Sequence, residues 1–391
     1  MSLGDPLFKW NETRHGGRPL RALVFVLTAA LLLTTAAMDA SAPRPRPPVI
    51  GEEKARVDAE RAAARIVDGS RLRILERDLH DRSNLAHWAM PTYTMALAKA
   101  FKTLGARVYV GDDGFLFIKK RVRTAKGVGP ERADLAMDRF ARLAEALGSR
   151  GTKLVLVFVP RKAEILARHL PDDEFEIHAE LTDRFLERGR KQGVLAVDPR
   201  PELLSLGSRA YHRTDTHWTD EGCLAAAEKC AAVAGLRVDP SNRPSVTRAV
   251  GREGLVGDIT RTAGLLRPDG SGCTWLIENA EVWRVVDRTT GELWTAEGGG
   301  GPASLVLAGT SYCAPPRRFG EYLEGATRTK VESFVFAGLG AVEPLRRAAQ
   351  AFGKQGYPKV LVWEVPLYEI FCYEDDRFAP LDDIITTLAA K

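Results

Sequence analysis

The sequence lacks the short cysteine pairs that bind zinc or carry out thiol–disulfide exchange. No Cys-x-x-Cys motif occurs in its 391 residues, so neither a zinc site nor a thioredoxin-type site is predicted. Cysteine itself is scarce, and the odd number of five leaves at least one thiol unpaired even in an oxidising compartment. The five are Cys223, Cys230, Cys273, Cys313 and Cys372.

A strong excess of one charge is also absent. The 56 Lys and Arg side chains nearly balance the 51 Asp and Glu side chains, which leaves a net charge of +5. No long Lys/Arg run with interleaved aromatic residues occurs, so nucleic-acid binding is not indicated. The small positive excess is compatible with a polyanionic polysaccharide, and with many other ligands.

Long hydrophobic runs are missing except near the N-terminus. Residues 22–38, ALVFVLTAALLLTTAAM, carry no charge and follow Arg14, Arg18 and Arg21. A basic flank before an apolar run is typical of a secretory signal or an uncleaved signal-anchor. We favour the anchor, although the run is near the lower limit of about 17 residues for a membrane helix. The pattern predicts a cytoplasmic tail at 1–21 and a following domain outside the cytoplasm.

The remainder of the chain divides into a linker and one large region. Residues 39–51 include the proline-rich APRPRPP and predict an extended linker. Residues 52–391 follow as one domain, in which 108–120 is predicted to form a hairpin with its turn at 111–114.

From residue 131 onward, helix-type and strand-type patterns alternate. The segment 153–160, KLVLVFVP, is an unbroken apolar run rich in β-branched residues, which is typical of a buried parallel strand. Residues 240–302 break the alternation and predict an irregular insertion with short strands. The alternation predicts an α/β domain with a mainly parallel sheet and helices on both faces. Further strands are predicted at 194–198, 303–311, 331–338 and 359–366, and helices at 131–151, 175–192, 219–234, 316–324 and 342–353.

Two segments carry side chains suited to nucleophilic catalysis. Asp215 and His217 are two positions apart, so in extended backbone they share one face, and the carboxylate can fix the tautomer of the ring. A base of this kind needs a nucleophile. Ser311 follows the apolar strand LVLAG and precedes a predicted helix, at the sheet edge where ligand sites form. The backbone N–H of Ser311 or Tyr312 is suited to stabilising an oxyanion there.

Each of these residues also has a simpler interpretation, which the residues alone leave open. Ser311 could be only an N-cap in a turn. Asp215 could cap the next helix, or bind a metal together with His217. Cys313, two positions from Ser311, is a rival nucleophile.

Five segments together resemble the alginate O-acetyltransferase family, whose members have an SGNH-hydrolase-like domain. The most specific is YHRTDTHWTDEG, which begins at Tyr211. GDDGFLFIKK resembles the family segment G-x-D-G-W-L-F, with Phe115 where tryptophan is usual. The others are LVLVFVPRKAEI, LVLAGTSYC and LVWEVP, so that the resemblance covers about residues 105–370. It implies an SGNH-hydrolase-like three-layer α/β/α fold, in addition to the N-terminal membrane helix.

The resemblance also implies an activity and the roles of the site residues. Ser311 would be the nucleophile that carries the acetyl group, His217 the general base and acid, and Asp215 the residue that orients His217. Tyr312 is a candidate oxyanion residue, while Tyr211 and Arg213 are candidates for lining the site or binding a sugar. Arg317 and Arg318 could bind an acidic sugar, or be solvated surface. No metal or other cofactor is expected.

The expected partners follow from the same resemblance. The acetyl donor would be a membrane-bound O-acyltransferase, and the acceptor an anionic polysaccharide, with alginate first among several exopolysaccharides. The protein would sit in the inner membrane with its catalytic domain in the periplasm. Two alternatives remain at this stage: an acetylesterase that uses the same three residues, and a non-catalytic polymer-binding or assembly protein of a secretion complex.

Overall fold

The structure is a computed structural model, and it describes the chain from residue 103 onward with several gaps. The described residues are 103–104, 107–125, 128–170, 179–263, 265, 277–297 and 304–390. The expected tail at 1–21, membrane helix at 22–38 and linker at 39–51 lie outside them, as does Cys273. Among the described helices, none has both the length and the apolar character needed to cross a membrane.

A five-stranded sheet forms the centre of the described structure. Its strand order is β5-β4-β10-β8-β9, and every neighbouring pair is parallel. β8 and β10 are buried along their whole length, as unbroken apolar runs predict for strands covered on both faces. The described strands are β1 (Thr103–Leu104), β2 (Val108–Val110), β3 (Leu116–Ile118), β4 (Lys153–Val159), β5 (Leu195–Val197), β6 (Ser245–Val256), β7 (Ile277–Asp287), β8 (Leu305–Gly309), β9 (Val331–Val335) and β10 (Val360–Pro366).

Helices cover the two faces of this sheet. The described helices are α1 (Lys119–Val122), α2 (Pro130–Gly148), α3 (Lys162–Ile165), α4 (Ala179–Lys191), α5 (Arg200–Leu206), α6 (Asp220–Ala234), α7 (Asp258–Thr262), α8 (Phe319–Thr327), α9 (Val342–Gln355), α10 (Leu367–Phe371) and α11 (Leu381–Ala390). The helices α4, α2, α11 and α9 contact one another in that order as one layer, and α5, α6 and α8 form the other. The expected three-layer α/β/α arrangement is confirmed.

Aromatic rings fill the space between the sheet and the first helix layer. The ring of Phe140 on α2 packs edge-on against Trp363 of β10 at 5.4 Å and against Phe378 at 5.1 Å, measured between ring centroids. Phe158 of β4 packs against Phe185 of α4 at 5.1 Å. Edge-to-face pairs at these distances add about 0.5–1.5 kcal/mol each beyond the area that they bury. This layer holds β4 and β10 in place, and the site lies at their carboxyl ends.

The predicted strands and helices of the central domain are confirmed, with small shifts in their bounds. The helix predicted at 316–324 begins at Phe319 and continues to Thr327. Of the helix predicted at 175–192, residues 175–178 lie outside the described residues, and the described part is Ala179–Lys191. The predicted hairpin is also present. β2 and β3 pair antiparallel, with the turn at Asp112–Gly114, and β1 adds a third strand.

The region 240–302 differs from its prediction as an irregular insertion. β6 and β7 instead form a long antiparallel ribbon, with one irregularity in register between Ala249 and Gly251. Most positions of β6 are exposed, so its sequence does not show the alternation of a half-buried strand. The ribbon's hydrogen bonds join segments far apart in the chain, and these pairings are not visible in a local pattern.

Candidate active site

The segment after β8 presents Ser311 at the carboxyl edge of the sheet. The backbone N–H groups of Cys313 and Ala314 donate to the carbonyl of Thr310 at 3.0 and 3.1 Å, which closes a tight turn. The side chain of Ser311 is half-buried, whereas Tyr312 and Cys313 are buried. Ser311 is thus held by its neighbours but remains reachable from outside.

The loop with Asp215 and His217 lies between two buried aromatic residues. Tyr211 and Trp218 form an isolated antiparallel bridge, and the loop between them is buried from Thr214 to His217. Thr219 then begins α6 as its N-cap, because its side chain accepts the N–H of Gly222 at 3.1 Å. The loop therefore has a fixed start and a fixed end.

Three of the residues predicted from the sequence meet at this edge. Ser311 Oγ lies 2.8 Å from His217 Nε2, and His217 Nδ1 lies 2.5 Å from Asp215 Oδ1. Asp215 Oδ1 also accepts the backbone N–H of His217 at 2.9 Å, so the carboxylate holds both the ring and the backbone. This geometry places a hydroxyl, an imidazole and a carboxylate in one hydrogen-bonded line.

Arg317, six positions after Ser311, also contacts Asp215 and His217. Its Nη2 lies 2.8 Å from Asp215 Oδ1 and 3.1 Å from His217 Nδ1. Burial by itself would raise the pKa of Asp215, but the hydrogen bond from His217 and the Arg317 guanidinium hold it well below its usual range. Asp215 is therefore an anion at neutral pH. The Arg317 side chain is largely buried, and its Nη2 contacts Asp215 and His217, a role that the sequence did not predict.

Asp258, at the start of α7, supports the loop from the end of the ribbon. Its carboxylate accepts the backbone N–H of Thr216 at 2.7 Å and the hydroxyl of the same residue at 2.5 Å. In return, its backbone N–H donates to Asp215 Oδ2 at 3.1 Å. Asp258 thus ties the ribbon to the loop that carries His217.

Asp215, His217 and Asp258 are close enough to raise the question of a metal site. Their nearest ligand atoms lie within 4.8 Å of one another. The guanidinium of Arg317, however, stands 2.8 Å from Asp215 Oδ1. A fixed cation at that place repels a second one. These residues therefore fit a charge-balanced hydrogen-bond network better than a metal.

The buried side chain of Lys162 holds the same loop through three hydrogen bonds. Lys162 Nζ donates to the carbonyls of Leu116, Arg213 and Asp215 at 2.8, 2.8 and 3.0 Å. These three acceptors match the three donors of an ammonium group. Burial lowers the pKa of Lys162 to about 7. The contacts join α3, the hairpin strand β3 and the Asp215 loop at one point.

Glu278 of β7 holds the same loop through its carboxylate. Its carboxylate accepts the N–H of Arg213 at 2.9 Å, and both the backbone N–H and the hydroxyl of Thr214. Burial would raise the pKa of Glu278, but the hydrogen bonds from His212 and Thr214 lower it to about 2. The loop is therefore held between the Lys162 amino group and the Glu278 carboxylate.

The other residues predicted for the site have different placements. The Tyr211 hydroxyl is buried and donates to the carbonyl of Pro160 at 2.7 Å, so it is not available to a sugar. The Arg213 side chain is exposed and lines a cleft of about 1230 Å³ between the loop and the ribbon. Arg318 pairs with Asp220 at 3.0 Å.

The side chains of Tyr312 and Cys313 are buried in the protein interior. The Tyr312 hydroxyl donates to the carbonyl of Thr216 at 3.0 Å, and its ring lies 4.6 Å from the His217 ring, between centroids. Burial raises the pKa of the Cys313 thiol well above its usual value, which makes it a poor nucleophile. In the described part of the chain, Cys223, Cys230, Cys313 and Cys372 are all unpaired and buried.

The backbone of the turn offers two candidate donors for an oxyanion, the N–H groups of Ser311 and Tyr312. The N–H of Tyr312 points to the hydroxyl of Thr310 at 3.4 Å, a long contact. For the N–H of Ser311, the described residues provide no acceptor. Ser311 N–H is therefore the better of the two candidates proposed from the sequence.

Sequence reasoning missed Asp258, Lys162 and Glu278 as parts of this site, and it named Arg317 only as a candidate for binding an acidic sugar or as solvated surface. Only Lys162 carried a signal, because it follows the first core strand directly in a segment that resembled the family. The other three contact the loop across 40 to 100 positions of sequence, as with Arg317 and His217 at a separation of 100. No local pattern encodes such contacts.

Comparison with known proteins agrees with this fold. A family model for the SGNH hydrolase-like domain of acetyltransferase AlgX matches residues 108–367. The probable alginate O-acetylase AlgJ of Pseudomonas syringae pv. tomato is 31% identical over 274 residues, which cover 66% of this chain and 68% of that protein. AlgJ of Pseudomonas putida is 30% identical over 277 residues, covering 66% of this chain and 69% of that protein.

Two solved structures are similar in fold. The O-acetyltransferase domain of Pseudomonas putida AlgJ has a TM-score of 0.57 and 26% identity, and the match covers 73% of this chain and 99% of that one. Pseudomonas aeruginosa AlgX has a TM-score of 0.52 at 20% identity, covering 77% and 70%, and shows the shared fold alone. The resemblance drawn from the sequence is confirmed: the chain belongs to the AlgX family of SGNH-hydrolase-like acetyltransferase domains, and it is an O-acetyltransferase.

Proposed function

We propose that this enzyme transfers acetyl groups to hydroxyls of a secreted anionic polysaccharide, alginate or a similar polymer, through an acetyl-serine intermediate. One observation carries the proposal: Ser311 Oγ is 2.8 Å from His217 Nε2, and the other ring nitrogen is hydrogen-bonded to Asp215. The names of the AlgJ relatives, probable alginate O-acetylases, support alginate as the acceptor.

In the first half-reaction, Ser311 Oγ attacks the carbonyl carbon of an acetyl ester donor. His217 Nε2 takes the hydroxyl proton as the new C–O bond forms, and Asp215 stabilises the resulting imidazolium. The Ser311 N–H stabilises the negative oxygen of the tetrahedral intermediate. When the intermediate collapses, the donor's alcohol leaves with the proton from His217, and acetyl-Ser311 remains.

The second half-reaction repeats these steps with a sugar hydroxyl in place of the serine. The neutral His217 takes the proton of the sugar hydroxyl, whose oxygen attacks the acetyl carbon. Collapse of the second intermediate breaks the bond to Ser311 Oγ, and His217 returns the proton to that oxygen. The products are an O-acetylated sugar and the free enzyme, so atoms and protons balance over the cycle.

The donor and the location are further parts of the proposal. A domain outside the cytoplasm has no supply of cytoplasmic acetyl-CoA, so we expect a membrane-bound O-acyltransferase to deliver the acetyl group. The uncharged run at 22–38 behind Arg14, Arg18 and Arg21 supports an inner-membrane anchor with the catalytic domain in the periplasm. Such an anchor would raise the effective concentration of donor and enzyme for each other.

One observation supports an acetylesterase as the second candidate. Ser311 is half-exposed, so water can reach an acetyl group on it. Water would then replace the sugar hydroxyl in the second half-reaction, and acetate would be the product. A non-catalytic assembly role is disfavoured, because the chain belongs to an acetyltransferase family.

The experiment that tests this proposal supplies donor and acceptor together. Purified full-length protein is given 4-nitrophenyl acetate and mannuronate oligosaccharides, and the sugars are analysed by mass spectrometry. We expect acetylated oligosaccharides with the wild type and none with Ser311→Ala. Release of acetate without any acetylated sugar would support the esterase, and no turnover of the ester by the wild type would contradict both.

A further inference from the structure

A fully buried glutamate stands directly behind the nucleophile turn. Glu364 lies in β10, next to β8, and its side chain is 0% exposed. Its Oε2 accepts the backbone N–H of Thr310 at 2.6 Å and the Thr310 hydroxyl at 2.9 Å, while Oε1 lies 3.2 Å from the same hydroxyl. The residue immediately before Ser311 is therefore bound at two atoms by one carboxyl group.

Glu364 has no cationic partner in the described structure, where none of its contacts is an ion pair. Burial raises the pKa of Glu364 to about 8, against the hydrogen bonds from Thr310. A buried carboxylate without a cation is costly, and protonation removes that cost. The titratable groups that face it are Cys313 of the turn, Glu369 and Tyr368 of α10, Tyr211 of the loop, and Cys223 of α6.

The surroundings leave room for this carboxyl group and for little else. A Cβ added at Gly309 would lie 3.0 Å from Cys313 Sγ and 3.3 Å from Glu364 Oε2, so the backbone of β8 approaches both side chains closely. Leu or Met at position 364 would fill the same space without any charge. A carboxyl group at this position therefore calls for an explanation beyond packing.

We propose that Glu364 is a positioning residue that fixes Thr310 and so holds Ser311 with its Oγ towards His217 and its N–H towards the substrate. This inference rests on the proposed role of Ser311 as nucleophile. The Thr310 hydroxyl also restrains the backbone after Ser311, because it accepts the N–H of Tyr312 at 3.4 Å. Glu364 acts through Thr310, and it touches no substrate itself.

The protonation state of Glu364 gives this role a pH signature. The neutral acid accepts hydrogen bonds from the backbone N–H and the hydroxyl of Thr310, and it places no charge behind the turn. Once the proton is lost, a buried anion stands behind the turn that carries Ser311, and its charge opposes the negative charge that develops on the substrate oxygen during acetyl transfer. We therefore expect the reactivity of Ser311 to fall as the pH rises above about 8, in addition to any loss of fold.

The test measures the rate at which a fluorophosphonate probe labels Ser311 in the full-length protein between pH 6 and 9.5. Glu364→Leu, which keeps the volume but no acceptor, should lower the rate about 10- to 100-fold. Glu364→Gln, which keeps an acceptor but cannot ionise, should restore most of the rate and remove the fall above pH 8. Thr310→Val should lower the rate, and Thr310→Ser should rescue it.

The outcomes separate this inference from the proposed function. If the wild type is labelled at Ser311 but Glu364→Leu is labelled equally fast, or Glu364→Gln keeps the same alkaline fall, the positioning role is wrong. If the wild type is not labelled at Ser311, the proposed role of Ser311 as nucleophile is wrong, and so is the positioning role of Glu364 that rests on it. Should Glu364→Leu not fold, the Gln variant and the Val/Ser pair at Thr310 still decide.

Discussion

The turn that carries Ser311 and the loop that carries His217 are held in different ways. The turn rests on buried parallel strands and on one fully buried carboxyl group, Glu364, which has no ion-pair partner among the described residues. The loop is held by charged side chains from four separate parts of the chain. These are Lys162, Asp258, Glu278 and Arg317.

This difference indicates which conditions each half of the site depends on. The packing of β8 against β10 is insensitive to salt and pH, apart from the proton on Glu364. The loop depends on ionised groups whose contributions change with protonation. We therefore expect substitutions in the turn to act mainly on chemistry, and substitutions around the loop to act on chemistry and stability together.

The largest effect should come from the turn itself. Ser311→Ala removes the attacking oxygen, and we expect acetyl transfer to fall by about 10⁴-fold or more, with the fold unchanged. The matched control is Cys313→Ala, which removes the rival thiol and should retain most of the activity. Loss of activity in the cysteine variant alone would transfer the nucleophile role to Cys313.

In the loop, the corresponding substitution is Asp215→Asn, which keeps the shape of the side chain but removes the charge that orients His217. We expect activity to fall by about 10³-fold, because the ring loses its preferred tautomer and the imidazolium its counter-charge. Asp113→Asn is the control, since that carboxylate is largely exposed, and asparagine tolerates its left-handed backbone at φ 55°. Similar kinetics for both variants would show that Asp215 has no part in catalysis.

Lys162→Met tests the anchor of the loop. Three buried carbonyls would lose their common donor, so we expect the free energy of unfolding to fall by about 2–4 kcal/mol, measured by urea denaturation. Lys153→Met is the control, because Lys153 is exposed and its Nζ reaches one carbonyl at 3.2 Å. Equal losses for the two lysines would contradict the special role of Lys162.

Arg317→Gln should have a smaller, pH-dependent effect. The folded-state pKa of Asp215 is depressed, so its stabilisation is present above the ordinary aspartate value of about 3.9 and is lost as the pH falls through the lower folded value. We expect the variant to lose about 1–3 kcal/mol of unfolding free energy at pH 7, and the difference from wild type to shrink below about pH 4. A difference that stays constant with pH would refute the electrostatic role of Arg317.

The smallest effect is expected away from both regions, on the β6–β7 ribbon. Val250 is 51% exposed beside the irregularity in β6, so Val250→Ser should change the free energy of unfolding by less than about 0.5 kcal/mol. The rate of Ser311 labelling should also be unchanged. A large loss would indicate that this face of the ribbon is buried against something in solution.

The same contrast explains how much could be predicted from the sequence. Buried parallel strands are continuous apolar runs, so β4, β8 and β10 were visible, and Ser311 with them. Asp215 and His217 were found because they are neighbours in one segment. The β6–β7 ribbon was not predicted, because an exposed strand shows no alternation of apolar and polar residues. The contact of Arg317 with Asp215 was not predicted either, because it joins distant parts of the chain.

The most direct test of this account is to trap the nucleophile. Full-length protein is treated with a fluorophosphonate probe, and the modified peptide is mapped by mass spectrometry in the wild type and in His217→Ala. We predict one adduct on Ser311 that is strongly reduced in His217→Ala. An adduct on Cys313, or labelling of Ser311 at an equal rate without His217, would contradict the arrangement in which His217 activates Ser311.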